Sequence, residues 1–218
     1  MAQEPKRGMT QTCADAAPVG DTGRVDVTDL DRDPVRQLAN WIADARAAGE
    51  LMPEAMCLAT SGAEGMPSAR FVLMRGLDDG VVFFTDYGSD KARDLRDNPR
   101  AAAVFHFSAP VHRQVRVSGS VAKTGAEESD RYWATRPVAS RRSAIASHQS
   151  SVITTRRELE AAVAAVGDAP EPVRPERWGG YRIHPEVVEF WEEGQDRLHD
   201  RLRFRRDHEG WRLERLSP

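Results

Sequence analysis

Apolar residues recur along this chain at two periods. Val35, Leu38, Trp41, Ile42 and Ala45 fall at helical spacing, which predicts an amphipathic helix over 34–48. Short apolar runs follow at 55–60, 69–75, 80–86, 101–107 and 113–121. They are rich in Val and Phe and separated by Gly, Asp and Pro, and they predict strands. Gly62, Gly65 and Pro67 mark one hairpin turn, and Asp78-Asp79-Gly80 marks another. Ser89 is placed to cap a short helix over 90–97. Thr124 with Glu127, and Thr155 with Glu158, form two capping boxes that predict helices at about 125–135 and 156–166. The second carries Leu159, Ala162, Val163 and Val166 on one stripe. Pro170, Pro172 and Pro175 make a stiff linker. Three more strands are predicted at about 178–192, 197–206 and 210–216. Many antiparallel strands with a few helices predict a β-barrel with helical cover, in the α+β class but mainly β.

Upstream of this pattern, residues 1–31 are polar and poor in apolar residues. They read as a mobile arm ahead of one domain spanning 32–218. At 218 residues the chain has room for one medium domain. The net charge of −3 gives no basic excess for nucleic acid. No apolar run reaches the roughly 18 residues of a membrane span, and the N-terminus lacks the apolar region of a secretory signal. Cys13 and Cys57 form neither a metal-spaced pair nor a disulfide framework, and a reducing cytoplasm is the simplest compartment. His106, His112, His148, His184 and His208 show no metal spacing, so no metal is expected.

Chemistry concentrates near the C-terminus, in Val188-Glu189-Phe190-Trp191 followed by Arg197-Leu198-His199-Asp200-Arg201. On a strand, residues i, i+2 and i+4 share a face, so Arg197, His199 and Arg201 would form one cationic row. Two guanidinium forks beside an imidazole suit phosphate, carboxylate or an electron-rich ring. The triplet alone fits a solvated strand face equally well.

The same segment, followed by a Trp-containing strand and a terminal Arg215-Leu216-Ser217-Pro218, resembles the end of the pyridoxine/pyridoxamine 5'-phosphate oxidases. The resemblance runs from about Pro34 to Pro218. Its blocks include Pro53-Glu54-Ala55-Met56, Arg70-Phe71-Val72-Leu73-Met74-Arg75, Phe83-Phe84-Thr85, Gly88-Ser89-Asp90-Lys91, Arg113-Gln114-Val115, Arg136-Pro137, Gln149-Ser150-Ser151 and Trp178-Gly179-Gly180. It implies an FMN-binding split β-barrel that forms a homodimer, with two flavins in the subunit interface. It also implies a cofactor set of Arg70, Phe71, Val72, Leu73, Met74, Arg75, Phe84, Thr85, Lys91, Gln114, Gln149, Ser150, Trp191 and Arg201, with Gln149 and Ser150 coming from the partner. Thr85 and Lys91 would hold the FMN phosphate at a helix start. Arg75, Tyr132, Arg136 and Ser140 would grip the substrate's 5'-phosphate, while Arg197 and His199 would clamp its pyridine ring and serve as the catalytic pair.

The implied activity is oxidation of pyridoxamine 5'-phosphate or pyridoxine 5'-phosphate to pyridoxal 5'-phosphate, with O2 reduced to H2O2. Four departures stand out: Arg75 where the family usually has Lys, Asp90 where it often has Arg, Ile145 where it commonly has Trp, and Glu192-Glu193 after Trp191. Asp90 is expected to face solvent and to weaken FMN binding. Ala146-Ser147-His148-Gln149-Ser150 and Arg174-Pro175-Glu176-Arg177 also resemble the phenazine-biosynthesis flavin oxidases. The alternatives are therefore oxidation of a reduced, dihydrophenazine-like metabolite, or a non-catalytic flavin or pyridoxal phosphate binding protein. Retention of Tyr132 and Ser140 favours the phosphorylated substrate.

Overall fold

The computed structural model describes residues 25–218, and the first 24 positions of the expected arm lie outside the described residues. The described residues fold as an antiparallel sheet curled into a split barrel with five α-helices. Helix α1 (Pro34–Ala47) starts with Asp33 accepting a hydrogen bond from the Val35 amide and with Pro34 in the first turn, where a missing N–H costs nothing. Its stripe of Leu38, Trp41, Ile42 and Ala45 is buried. Strands β1 (Ala55–Ser61), β2 (Pro67–Leu73), the short β3 (Gly76–Leu77), β4 (Val81–Asp86), β5 (Arg100–Phe107) and β6 (Arg113–Lys123) follow, with helix α2 (Asp90–Asp97) between β4 and β5. Helices α3 (Ala126–Thr135), α4 (Val138–Ala146) and α5 (Arg156–Ala165) precede β7 (Trp178–Glu192), β8 (Asp200–Asp207) and β9 (Gly210–Arg215).

The sheet runs β2-β1-β5-β6-β7-β4-β3, and β8 joins β7 to β9. Strand β7 organises it. All of β6 pairs along its length, β4 pairs with Trp178–Ile183, and β8 pairs with Val187–Glu192. The ladder shifts register between Ser118 and Gly119. A Cβ on Gly119 would stand 1.9 Å from the His184 carbonyl oxygen, so only glycine permits this bend. Period-2 burial turns Met56, Leu58, Ala103, Phe105, Val115, Val117, Val188 and Phe190 onto one core against α1. Trp41 meets Phe190 edge-on, with ring centroids 5.0 Å apart.

Several expectations shift. Helix α4 has no buried residue and no apolar stripe, so periodicity could not announce it. The helix α3 cap is Gly125, one residue past Thr124, whose hydroxyl instead meets the Ser129 hydroxyl at 3.0 Å. The Thr155 cap does form, but Glu158 reaches the Thr154 amide rather than that of Thr155. Strand β8 begins at Asp200, not 197. Gln195–Arg197 is a 3₁₀ turn with Asp196 and Arg197 at positive φ (53° and 65°). Arg197, His199 and Arg201 therefore do not share a strand face. Packing also begins ahead of residue 32: Val25 and Leu30 belong to the main core, at 7% and 9% exposure.

Leu30→Ala is expected to lower stability by roughly 2 kcal/mol or more, the cost of truncating a core leucine. Urea unfolding checks this. A change within about 0.5 kcal/mol would mark residue 30 as unpacked surface.

Candidate functional site

A cleft of about 670 Å³ opens between β2, the end of β4, the start of α2, and α3–α4. It collects Arg70, Phe71, Val72, Leu73, Arg75, Phe84, Thr85, Lys91, Tyr132, Arg136, Ser140 and Gln149 from the predicted set. Its aromatic wall is a stack. Phe84 lies 4.1 Å from Tyr132 and 5.5 Å from Trp178, nearly parallel to both. Gly180 makes room for it, since a Cβ there would stand 2.8 Å from the Phe84 ring.

Two cationic groups share this cleft. The first is built on α2. Lys91 is 7% exposed, and its ammonium donates to Gln149 Oε1 at 2.9 Å and Thr85 Oγ1 at 3.3 Å. Both partners are neutral. Burial pushes the Lys91 pKa down, and the Arg70 charge adds to the effect, while Asp90 and Asp86 oppose it. A buried ammonium without a contacting carboxylate is costly and gains from an anion. Arg70 lies alongside, donating to Thr60 Oγ1 and Ser68 Oγ, each at 2.6 Å, and standing 3.7 Å from Asp94. The second group is built on α3–α4. The Arg136 guanidinium lies 4.6 Å over the Trp178 ring. Burial lowers its pKa; Tyr132 opposes the shift and the Arg75 and Arg141 charges add to it. Arg136 Nη1 and Arg141 Nε are buried and lack hydrogen-bond partners among the described residues.

Met74 departs from expectation. It is 8% exposed and turns into the core, so it does not line the cleft. Gln149 and Ser150 also depart. Gln149 accepts from Thr85 at 2.7 Å in its own chain, and Ser150 Oγ accepts from the Asp90 amide at 3.2 Å. Gln149 lines its own subunit's cleft, and Ser150 sits against the start of α2. Ser89 occupies the cap position, but its hydroxyl donates to the Asp86 carbonyl at 2.7 Å rather than capping. Asp90 is exposed and paired with Arg93.

Gln114, Trp191, Arg197, His199 and Arg201 stand outside this cleft and form a second constellation. Gln114 lies opposite Trp191, which lies opposite Arg201. The Trp191 and His199 rings are 4.7 Å apart. His199 Nδ1 accepts from the Gly194 amide at 3.2 Å, so a neutral ring carries its proton on Nε2. Glu189, 4% exposed, accepts from Arg201 Nε at 2.9 Å and from Arg116 at 2.6 Å. Glu192 has a local reason. It is 5% exposed and accepts from Arg113 Nε at 2.7 Å, while Arg113 also lies 4.5 Å over Trp41.

Asp86, Ala139, Ser143, Ala144, Ser147 and Trp178 also line the cleft without having been singled out for it. Trp178 carried a signal in its Trp-Gly-Gly block, since paired glycines mark close approach. The small residues of α4 carried none.

Known proteins resemble this chain over most of its length. Residues 43–168 match the family model described as pyridoxamine 5'-phosphate oxidase. Residues 178–218 match the one described as the pyridoxine 5'-phosphate oxidase C-terminal dimerisation region. A pyridoxine/pyridoxamine 5'-phosphate oxidase of Burkholderia multivorans is 50% identical over 200 residues, covering 89% of this chain and 93% of the relative. One from Rubrobacter xylanophilus is 48% identical over 192 residues, covering 86% and 88%. Among solved structures, PhzG from Burkholderia lata, in complex with tetrahydrophenazine-1-carboxylic acid, is similar with TM-score 0.82 and 36% identity. It covers 90% of this chain and 100% of that one. Among the described residues, no helix is long and apolar enough to cross a membrane.

Lys91→Met is expected to weaken binding of inorganic phosphate by roughly 10- to 150-fold, the value of a charge-assisted contact. The melting temperature should hold or rise, because a desolvated cation is removed. Calorimetric titration with phosphate and a thermal melt check both. Unchanged phosphate affinity would remove Lys91 from the anion site.

Proposed function

The chain belongs to the pyridoxamine 5'-phosphate oxidase family, and from that premise we propose that it is an FMN-dependent oxidase of phosphorylated pyridines. It converts pyridoxamine 5'-phosphate or pyridoxine 5'-phosphate to pyridoxal 5'-phosphate, reduces O2 to H2O2, and works as a cytoplasmic homodimer. The observation that carries this reading is the pair of uncompensated cationic groups in one cleft, around Lys91 and around Arg136. A flavin mononucleotide and a phosphorylated pyridine bring one phosphate each.

The donor set fits the cofactor. Lys91, Thr85 and Ser150 cluster at the first turn of α2, where amides and the helix dipole favour a phosphate. Gln149, now bonded to both Lys91 and Thr85, can turn its amide to the same group. Arg70 and the strand Phe71–Leu73 lie along the adjacent wall. The flavin supplies the two-electron acceptor chemistry when bound.

The protein's share is binding and orientation. Arg75, Tyr132, Arg136 and Ser140 take the substrate phosphate with guanidinium, phenol and hydroxyl donors. Phe84 and Trp178 exclude water beside it. Arg197 and His199 hold the pyridine ring and its O3' group, His199 through Nε2–H, so that C4' stays aligned for transfer. Trp191, Arg201 and Gln114 complete the cofactor contacts. These five residues reach the cleft from the partner subunit. Support comes from the segment that matches the dimerisation region, residues 178–218, which carries Trp191, Arg197, His199 and Arg201.

The similarity to PhzG supports a second reading, an oxidase of a reduced tricyclic acid. Tyr132 and Ser140 beside Arg136 favour the phosphorylated substrate, since phenol, hydroxyl and guanidinium donors together suit a phosphate dianion better than a single carboxylate.

The purified protein is expected to be a yellow dimer with one FMN per subunit, releasing peroxide with pyridoxamine 5'-phosphate. Arg197→Ala should lower kcat and leave the visible flavin spectrum intact. Arg136→Ala should raise KM for the phosphorylated substrate by roughly 10- to 150-fold and abolish preference over the unphosphorylated alcohol. Turnover of a reduced tricyclic acid, with neither phosphorylated vitamer consumed, would instead establish the second reading.

A further inference from the structure

Helix α4 is held in an unusual way. It supplies Ala139, Ser140, Ser143 and Ala144 to the cleft and leads into Ser147, Gln149 and Ser150, yet it buries no residue of its own. Its last turn carries no basic side chain. The carbonyls at its C-terminal end are instead met from a distant segment by Arg177. That guanidinium donates to Ile145 O at 2.5 Å, Ser147 O at 3.1 Å and Ala144 O at 3.2 Å. The same group forms an ion pair with Asp86.

Asp86 closes the clasp from the other side. It ends β4, one residue after Thr85, and its carboxylate lines the cleft at 6% exposure. One oxygen accepts from the Gly88 amide at 2.7 Å, which fixes the turn leading to α2. The Arg177 backbone carbonyl also accepts from the Tyr87 amide at 2.6 Å. One residue thus joins the strand end that carries Thr85 to the helix end that carries Gln149.

We propose that Arg177 is a positioning residue for the cofactor, tying the C-terminal carbonyls of α4 to Asp86 while cancelling that carboxylate's charge in the wall of the anion cleft. The consequence is double. The Gln149–Ser150 segment is fixed over the start of α2, where helix-end carbonyls gain from a cation. An acidic group beside the phosphate position is also made neutral in effect; left bare, it would repel a dianion. Lysine cannot replace it fully, because a point charge does not span three carbonyls and a carboxylate at once.

The inference rests on the flavin reading above, and the test separates the two. Hydrogen exchange of the full-length, cofactor-free chain follows residues 138–150 in wild type and Arg177→Ala, while FMN affinity is titrated in both and in Arg177→Ala/Asp86→Asn. Arg177→Ala is expected to speed exchange over 138–150 and to weaken FMN binding roughly 10- to 150-fold. Asp86→Asn in that background should recover at least a tenfold part of the loss. Arg177→Lys, which keeps the charge, serves if the alanine variant does not fold. It should exchange faster over 138–150 and fall between wild type and alanine in affinity. Unchanged exchange and affinity in the substituted protein would overturn the proposal, as would a loss that Asp86→Asn does not relieve. Wild type that binds no FMN would defeat the flavin reading alone, and the exchange comparison would still decide whether Arg177 holds α4.

Discussion

Strand β7 is the constraint on which the rest of the molecule depends. It pairs with β6 from Tyr181 to Glu192, with β4 over Trp178–Ile183 and with β8 over Val187–Glu192. One strand serving three neighbours forces the sheet to curl, and the Gly119 bulge supplies the bend. At about 3.3 Å per residue, Trp178 and Trp191 lie on the order of 40 Å apart along it. The cleft with Thr85, Lys91 and Arg136 gathers at the Trp178 end. Gln114, His199 and Arg201 gather at the Trp191 end. The length of β7 keeps these halves apart within one subunit, and the proposed dimer would set one subunit's half against the other's.

Charge placement follows from the same division. Away from the cleft, buried acids are matched: Glu189 by Arg116 and Arg201, Glu192 by Arg113. Such pairs are costly to break and contribute little beyond geometry. Glu189 illustrates the use of that geometry, because it aims the Arg201 guanidinium beside Trp191. Within the cleft the pattern reverses. Lys91 has neutral partners and Arg136 keeps a buried nitrogen without one. Cations left open in a cleft, while buried acids such as Glu189 and Glu192 are answered, are what an anion site requires.

Much of this was legible in the chain. The stripe Leu38–Trp41–Ile42–Ala45 and the alternation of β5 and β6 reported their own burial, since helices and strands imprint their periods on the residues they bury. The cleft residues of β2, β4 and α3 came from family blocks, because no period distinguishes a phosphate ligand from surface polarity. Three features lay beyond reach for stated reasons. Helix α4 is held by a clasp, so it leaves no apolar period. The row Arg197–His199–Arg201 has strand spacing, but Asp196 and Arg197 adopt positive φ, a choice made by the neighbouring fold and not by non-glycine residues. Met74 follows the last residue of β2 and turns into the core, its amide bonded to the Glu54 carbonyl, a placement that the run of cleft residues before it does not announce.

The departures from the family pattern acquire meaning once their partners are seen. Glu192 is answered by Arg113, and Asp90 is answered by Arg93. Each added acid has gained a cation within reach, so the field around the cleft is little altered. The Asp90 charge still reaches Lys91, whose pKa it helps to hold up, while its pairing with Arg93 and its exposure to solvent reduce the repulsion that a phosphate meets at the helix start. The pair Asp86–Arg177 follows the same rule with a larger consequence. Its acid lines the cleft itself, so its cation must be held in place as well as present, and the carbonyls of α4 are what hold it.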